Sequence, residues 1–128
     1  MKPNQEKINL IYQLKTFQYA FNGLKWFFAS EIKSKIHSIC GLAAIILGAI
    51  LKISLTEWLL IAIAIGLVFI TEILNTGLEL LVDELVKEQN TSAGRIKDLA
   101  AGAVLFAAVV SLVIGVIVFL PKLIELIV

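Results

Sequence analysis

The stretch Thr71-Glu72-Ile73-Leu74-Asn75-Thr76-Gly77-Leu78-Glu79, continuing to Asp83, sets carboxylates, an amide and hydroxyls in an apolar background. At ~100° per residue along a helix, Glu72, Asn75, Thr76, Glu79 and Asp83 fall within an arc of about 100°, while Leu74, Leu78 and Leu81 point elsewhere. A charge at the bilayer centre costs roughly 2.5–3.5 kcal/mol, so a stripe of them needs a metal, a proton, a cationic partner or water. No lysine or arginine shares the stripe. Asn75 and Thr76 by themselves also fit a plainer role as hydrogen-bonding glue between helices. The full set fits a site that binds a divalent cation and handles a proton. Hard oxygen ligands suit Mg²⁺, which keeps several waters and takes one or two protein carboxylates together with phosphates.

A second cluster follows a polar break. Gly94-Arg95-Ile96-Lys97-Asp98 sits just after an expected helix start, where cations and unpaired backbone N–H groups favour phosphate. Carboxylates for a metal and a base, with a lysine for phosphate, are the parts phosphoryl transfer uses. The chain has no G-x-x-x-x-G-K-[ST] loop, which excludes a soluble-type nucleotide fold.

Elements able to hold these groups follow from composition. The 128 residues are one domain at most, and 59% are hydrophobic, against ~45–50% in soluble domains. Charged residues are 16%, and mean hydropathy is +0.96. These values exclude a soluble globular enzyme and a disordered chain. Basic and acidic residues nearly cancel, so nothing points to nucleic acid. The single cysteine, Cys40, rules out an intrachain disulfide. Met1 to Lys7 is polar and contains Pro3, unlike a cleavable signal peptide.

The expectation is an all-α integral membrane protein, a single membrane domain over 1–128. An amphipathic interfacial helix or helix pair at 4–34 precedes transmembrane helices at 36–52, 55–87 and 93–120. Between Asp98 and Lys122 lie 23 uncharged residues, enough to cross a ~30 Å hydrocarbon core at ~1.5 Å per residue. Between Lys35 and Lys52 lie 16, a short span that snorkelling lysines can extend. Between Glu57 and Glu72 only 14 are uncharged, so the middle helix carries its polar stripe at membrane depth. Counting from Trp58, Glu72 lies ~21 Å in and Glu79 ~32 Å in, near the far boundary.

Local signals mark the ends. Ser54-Leu55-Thr56-Glu57 fits a capping box opening the middle helix, with Trp58 as interfacial anchor. Gln89-Asn90-Thr91-Ser92 is a polar break with Thr91 or Ser92 as expected N-cap, and Pro121 is expected to end the last helix or begin a frayed tail. Lys2, Lys7, Lys15, Lys25, Lys33, Lys35, Lys87, Arg95 and Lys97 fall on one side, against Lys52 and Lys122 on the other. The positive-inside rule then puts the N-terminus and the 87–97 loop in the cytoplasm. Leu10, Leu14, Phe17, Phe21, Leu24 and Phe28 form the apolar stripe of the interfacial helix. Ala103, Ala107, Ser111 and Gly115, with Gly41 and Gly48, allow close backbone approach.

Taken together, Phe17-Gln18-Tyr19-Ala20-Phe21-Asn22-Gly23-Leu24, Glu31 with His37, the Glu72–Asp83 stretch, and Lys97-Asp98-Leu99-Ala100-Ala101-Gly102-Ala103-Val104-Leu105 closely resemble the prokaryotic diacylglycerol kinase family, which includes undecaprenol kinases. The resemblance runs from about Phe17 to Pro121. It implies a homotrimeric inner-membrane lipid kinase with active sites shared between neighbouring subunits, moving the γ-phosphate of Mg-ATP to a lipid hydroxyl. It makes Glu72 the general base, with Asn75 orienting the carboxylates and Asp83 supporting the site. It makes Glu31 and Glu79 the metal ligands beside the ATP phosphates. Lys97 and Asp98 contact the nucleotide, and Tyr19 and Glu88 match further ATP-site positions. The chain departs from the family at Tyr12 and Lys35, where arginines are found in other members, and lysine cannot reproduce a bidentate phosphate contact. His37 is more usual in the undecaprenol kinase-like branch and also reads as a polar group at a helix interface. Lys33 and Lys35 read as snorkelling anchors.

The leading expectation is a bacterial cytoplasmic-membrane, multi-pass kinase converting diacylglycerol to phosphatidic acid, with undecaprenol as the alternative acceptor. A small oligomeric ion channel or transporter would explain an acidic stripe but gives no role to Lys97-Asp98 or Glu31. A membrane assembly factor would tolerate amide replacement of the carboxylates.

Overall fold

The computed structural model describes residues 10–88 and 90–128, with the side chains of residues 10–12 left undescribed. The expected start of the interfacial helix at residue 4, the basic residues Lys2 and Lys7, and the side chains of Leu10 and Tyr12 lie outside the described residues. The chain divides into two units, Met1–Ile32 and Lys33–Val128.

In the first unit, helix α1 spans Leu10–Ser30. Leu14, Phe17, Phe21, Leu24 and Phe28 are all exposed, so the apolar stripe is left for the headgroup region, as an interfacial helix requires. Phe27 and Phe28 meet edge to face, with centroids 5.3 Å apart. The Glu31 N–H donates to Phe27 O at 3.1 Å, and Glu31 itself lies outside the helix. The interfacial helix therefore stops short of residue 34, and Lys33 and Lys35 belong to the next helix.

The second unit is a bundle of α2 (Ile32–Ile50), α3 (Leu55–Leu85) and α4 (Thr91–Ile127). All three are long and apolar enough to cross a membrane. Each runs beyond its uncharged window, most of all α3, because a charge ends the hydrocarbon segment without breaking the backbone ladder. Leu99, Leu105, Phe106, Leu112 and Ile117 are exposed on α4, an apolar face suited to bilayer contact.

The turn between α2 and α3 is a Schellman motif. The Ile53 N–H donates to Gly48 O at 3.1 Å and the Lys52 N–H to Ala49 O at 3.3 Å, with Lys52 left-handed at φ 50°. The chain packs so tightly here that a Cβ on Gly48 would lie 2.9 Å from both Ile53 Cδ1 and Trp58 Cη2. The capping box then opens α3. Ser54 Oγ accepts from the Glu57 N–H at 3.3 Å, and Glu57 Oε2 accepts from the Ser54 N–H at 2.6 Å.

Two expected boundaries differ. Asn90, one residue before Thr91, caps α4, its Oδ1 accepting from the N–H groups of Ser92 and Ala93 at 2.8 and 3.3 Å. Asparagine is at least as good an N-cap as serine or threonine, and its carbonyl reaches both orphan donors. Pro121 does not end α4, which continues through it. Proline removes one ladder donor, a loss membrane helices tolerate by local adjustment. Lys122 pairs with Glu57 at 3.4 Å and ties the turn after Pro121 to the start of α3.

Packing runs in a gradient along the bundle. At the end near Trp58, Ile53, Ile61 and Val118 form a buried apolar cluster. In the middle, small residues bring the helices together. Ala64 and Ala107 are buried, and Ser111 Oγ donates across from α4 to Ala64 O at 3.0 Å. Toward the other end the buried residues become polar: Glu72, Asn75 and Thr76. That end carries the candidate site.

Candidate active site

Helix α3 supplies the backbone of the site, and antiparallel neighbours supply its cations. On α2, His37 Nε2 lies 3.2 Å from Glu72 Oε1, and Lys33 Nζ lies 3.6 Å from Glu79 Oε1. On α4, Lys97 Nζ donates to Asp83 Oδ1 at 2.9 Å. Each carboxylate of the stripe thus meets a basic side chain from an adjoining helix, which lowers the cost of holding it at membrane depth. The absence of cations from the stripe itself is repaired by tertiary packing.

Burial falls along the stripe. Glu72 is 3% exposed and Asn75 2%, Glu79 is half-buried, and Asp83 is exposed. Asn75 Nδ2 donates to Glu79 Oε1 at 3.0 Å, one turn along the helix. The opposite amide orientation would set an acceptor against a carboxylate, so the network itself selects this one. Thr71 bonds back to Leu67 O and Val68 O at 2.9 and 3.0 Å and is absorbed by its own helix.

Among the described residues, two buried acceptors have no protein partner: Glu72 Oε2 and Asn75 Oδ1. An unpaired buried acceptor costs about 1–3 kcal/mol, more when charged. A donor from outside the chain would remove that cost. An alcohol O–H offered to Glu72 Oε2 is the geometry a general base needs.

A groove of ≈ 590 Å³ opens beside the exposed end of the stripe, lined by Asp83, Glu88, Asn90, Thr91, Gly94 and Lys97 among others. It brings together a lysine, two carboxylates and the first turn of α4. Asp98 lies on an adjoining surface with Arg95, Leu99 and Gly102. A third groove of ≈ 480 Å³, between α2, α3 and α4, is almost wholly apolar and carries His37 on its wall with Ala44, Ile61, Val68 and Phe69.

The structure thus joins Asn75 to Glu79, sets Glu72 one turn before Asn75 on the same face against His37, and places Asp83, Glu88 and Lys97 around one groove. Tyr19 and Glu31 belong to the first unit, where Tyr19 is exposed on α1 and Glu31 follows the helix. Lys33 and His37 were legible only as an anchor and an interface group. Their signal lay in spacing: the two stand one helical turn apart on α2, facing Glu72 and Glu79 two turns apart on α3.

Among the described residues, no three histidine, cysteine, aspartate or glutamate side chains converge to hold a metal unaided. Glu79 and Asp83 nonetheless have the hard oxygen donors that suit Mg²⁺. One or two carboxylates suffice when phosphates complete the coordination.

A family model described as prokaryotic diacylglycerol kinase matches residues 18–119. The chain is 35% identical over 122 residues to an undecaprenol kinase of Bacillus subtilis, covering 95% of this chain and 98% of that one. It is 37% identical over 116 residues to a diacylglycerol kinase of Synechocystis sp., covering 90% of this chain and 66% of that one. A diacylglycerol kinase of Escherichia coli is 29% identical over 100 residues, with 78% and 82% covered.

Proposed function

This chain belongs to the prokaryotic diacylglycerol kinase family and is a membrane lipid kinase, and from that premise we propose that it moves the γ-phosphate of ATP to a lipid hydroxyl held against Glu72. The observation that carries the assignment is the buried Glu72 Oε2, an acceptor with no protein donor. The lipid O–H donates to Oε2 and its proton passes to Glu72 as the oxygen bonds to the γ-phosphorus. The bond from that phosphorus to the bridging oxygen breaks, and ADP leaves. A positioned base contributes about 10²–10⁴ in rate.

Other residues take supporting roles. Asn75 fixes Glu79 through its amide, and Asp83 holds Lys97 at the edge of the groove where the nucleotide phosphates bind. Asp98, Glu88 and Tyr19 complete the nucleotide contacts. By the family resemblance Glu79 and Glu31 would hold Mg²⁺, which would supply neutralisation of the phosphate charge. The basic residues flanking α2 and α4 favour an N-terminus and ATP groove on the cytoplasmic side of a bacterial inner membrane. The extensive exposed apolar faces suit bilayer and neighbouring copies together, in line with a homotrimer.

The acceptor is diacylglycerol or undecaprenol. Relatives of both names align over most of this chain, and the apolar groove beside His37 suits an acyl or a prenyl tail alike. A radiolabelled-ATP assay on purified protein in detergent micelles, offering each lipid separately, tests the reading. Labelling of one lipid, lost by about 10²–10⁴ in Glu72→Gln, is expected. Labelling of neither lipid by a folded protein refutes it, and so does a fully active Glu72→Gln.

A further inference from the structure

Glu72 is nearly sealed from solvent, yet it touches a group that is not: the side chains of His37 and Glu72 are 25% and 4% exposed. The Glu72 carboxylate takes its hydrogen bond from His37, at Oε1. With Glu72 ionised, a contact of 3.2 Å to Oε1 requires a hydrogen on Nε2, so the imidazole donates. That bond occupies Oε1 and leaves Oε2 as the single unpaired oxygen of the group.

We propose that His37 is a positioning residue for phosphoryl transfer, holding Glu72 by Oε1 so that Oε2 alone meets the acceptor hydroxyl. The inference rests on Glu72 being the base. A carboxylate on a three-carbon stem rotates about its last bond with little resistance. Without a partner at Oε1, both oxygens compete for any donor and the angle toward the hydroxyl is lost. The His37 bond removes that freedom without filling the reacting position.

The neighbouring elements offer Glu72 no second hydrogen bond among the described residues. On α3, Glu79 lies two turns further along and is already engaged by Lys33. Helix α4 contributes only uncharged side chains to the groove that His37 lines, and the most polar of them, Ser111, is bonded to Ala64 O.

The test compares kcat, KM for ATP and KM for lipid in wild type, His37→Ala, His37→Gln and Glu72→Gln, using the full chain in detergent micelles. His37→Ala is expected to lose about 10- to 100-fold in kcat with KM for ATP changed by less than about 2-fold. Glutamine restores an N–H donor. His37→Gln is therefore expected to recover to within about 3-fold of wild type. Wild-type kcat in both His37 variants overturns the inference. Equal losses in both, with lowered thermal midpoints, overturn it in favour of a purely structural contact. An inactive Glu72→Gln beside unaffected His37 variants sinks the positioning role alone, whereas an active Glu72→Gln sinks the base assignment beneath it.

Discussion

Replacing Asn75 by leucine separates function from stability in a way the structure makes quantitative. Asn75 is buried and does two opposing things. Its Nδ2 donates to Glu79 Oε1 at 3.0 Å, while its Oδ1 is buried with no protein partner. A hydrogen bond to a charged group contributes about 1.5–3 kcal/mol, and an unpaired buried acceptor costs about 1–3 kcal/mol. Leucine has the same branching with bulkier methyl ends, so no cavity opens and the added volume brings only a modest overpacking cost. Glu79 is half-buried and keeps Lys33 at 3.6 Å, so water and the lysine cover part of the lost bond. The two terms nearly cancel, and the net change is within about 1–2 kcal/mol, or a thermal midpoint shift of roughly 3–10 °C in either direction. Turnover should not be spared. Glu79 loses the bond that aims its carboxylate, and kcat is expected to fall about 10- to 100-fold with a raised Mg²⁺ requirement. The assay is the lipid kinase rate against Mg²⁺ concentration, paired with thermal unfolding in the same detergent. Unchanged turnover, or a collapse in stability that accounts for all lost activity, refutes the assignment of Asn75 as the group that orients Glu79.

Other perturbations act at defined places. Lys97→Met removes an exposed pair with Asp83 and is expected to leave the thermal midpoint nearly unchanged, because such pairs stabilise little. The same change should raise KM for ATP by roughly 10-fold, measured by varying ATP at saturating lipid. Lys52→Gly relieves a left-handed residue at φ 50° in the α2–α3 turn. It should stabilise the protein by about 0.5–1 kcal/mol after the added freedom of the unfolded chain, with activity unchanged. A lowered midpoint in Lys52→Gly would show that the lysine side chain contributes more than its backbone costs.

The pairing of α3 with both neighbours also bears on the channel reading that an acidic stripe invites. A pore-lining stripe presents its carboxylates to water and ions. Here Glu72 is closed in by His37, Glu79 is engaged by Lys33 and Asn75, and Asp83 by Lys97. Preset protein partners for each carboxylate fit a site that holds its groups in fixed directions better than one that passes ions along a row of carboxylates.

The sequence alone determined everything that depends on neighbours a few residues apart. Uncharged windows marked three spans, the period of 3.6 placed Glu72, Asn75, Thr76, Glu79 and Asp83 on one face, and Ser54 with Glu57 announced the capping box that forms. The family was legible in the same motifs. Tertiary structure decided which charges meet. That Lys33 reaches Glu79, and His37 reaches Glu72, depends on the antiparallel register of α2 against α3. That register is set in part where Gly48 lets Ile53 and Trp58 approach the helix backbone. No spacing within one helix encodes such a register, since it arises from side-chain fit between two of them. Pro121 and Asn90 show the same division at smaller scale. Their intrinsic tendencies were readable, but the structure carries α4 through Pro121, beside which Lys122 meets Glu57, and caps it with Asn90. Local chemistry chose the parts, and the packing of three helices chose their partners.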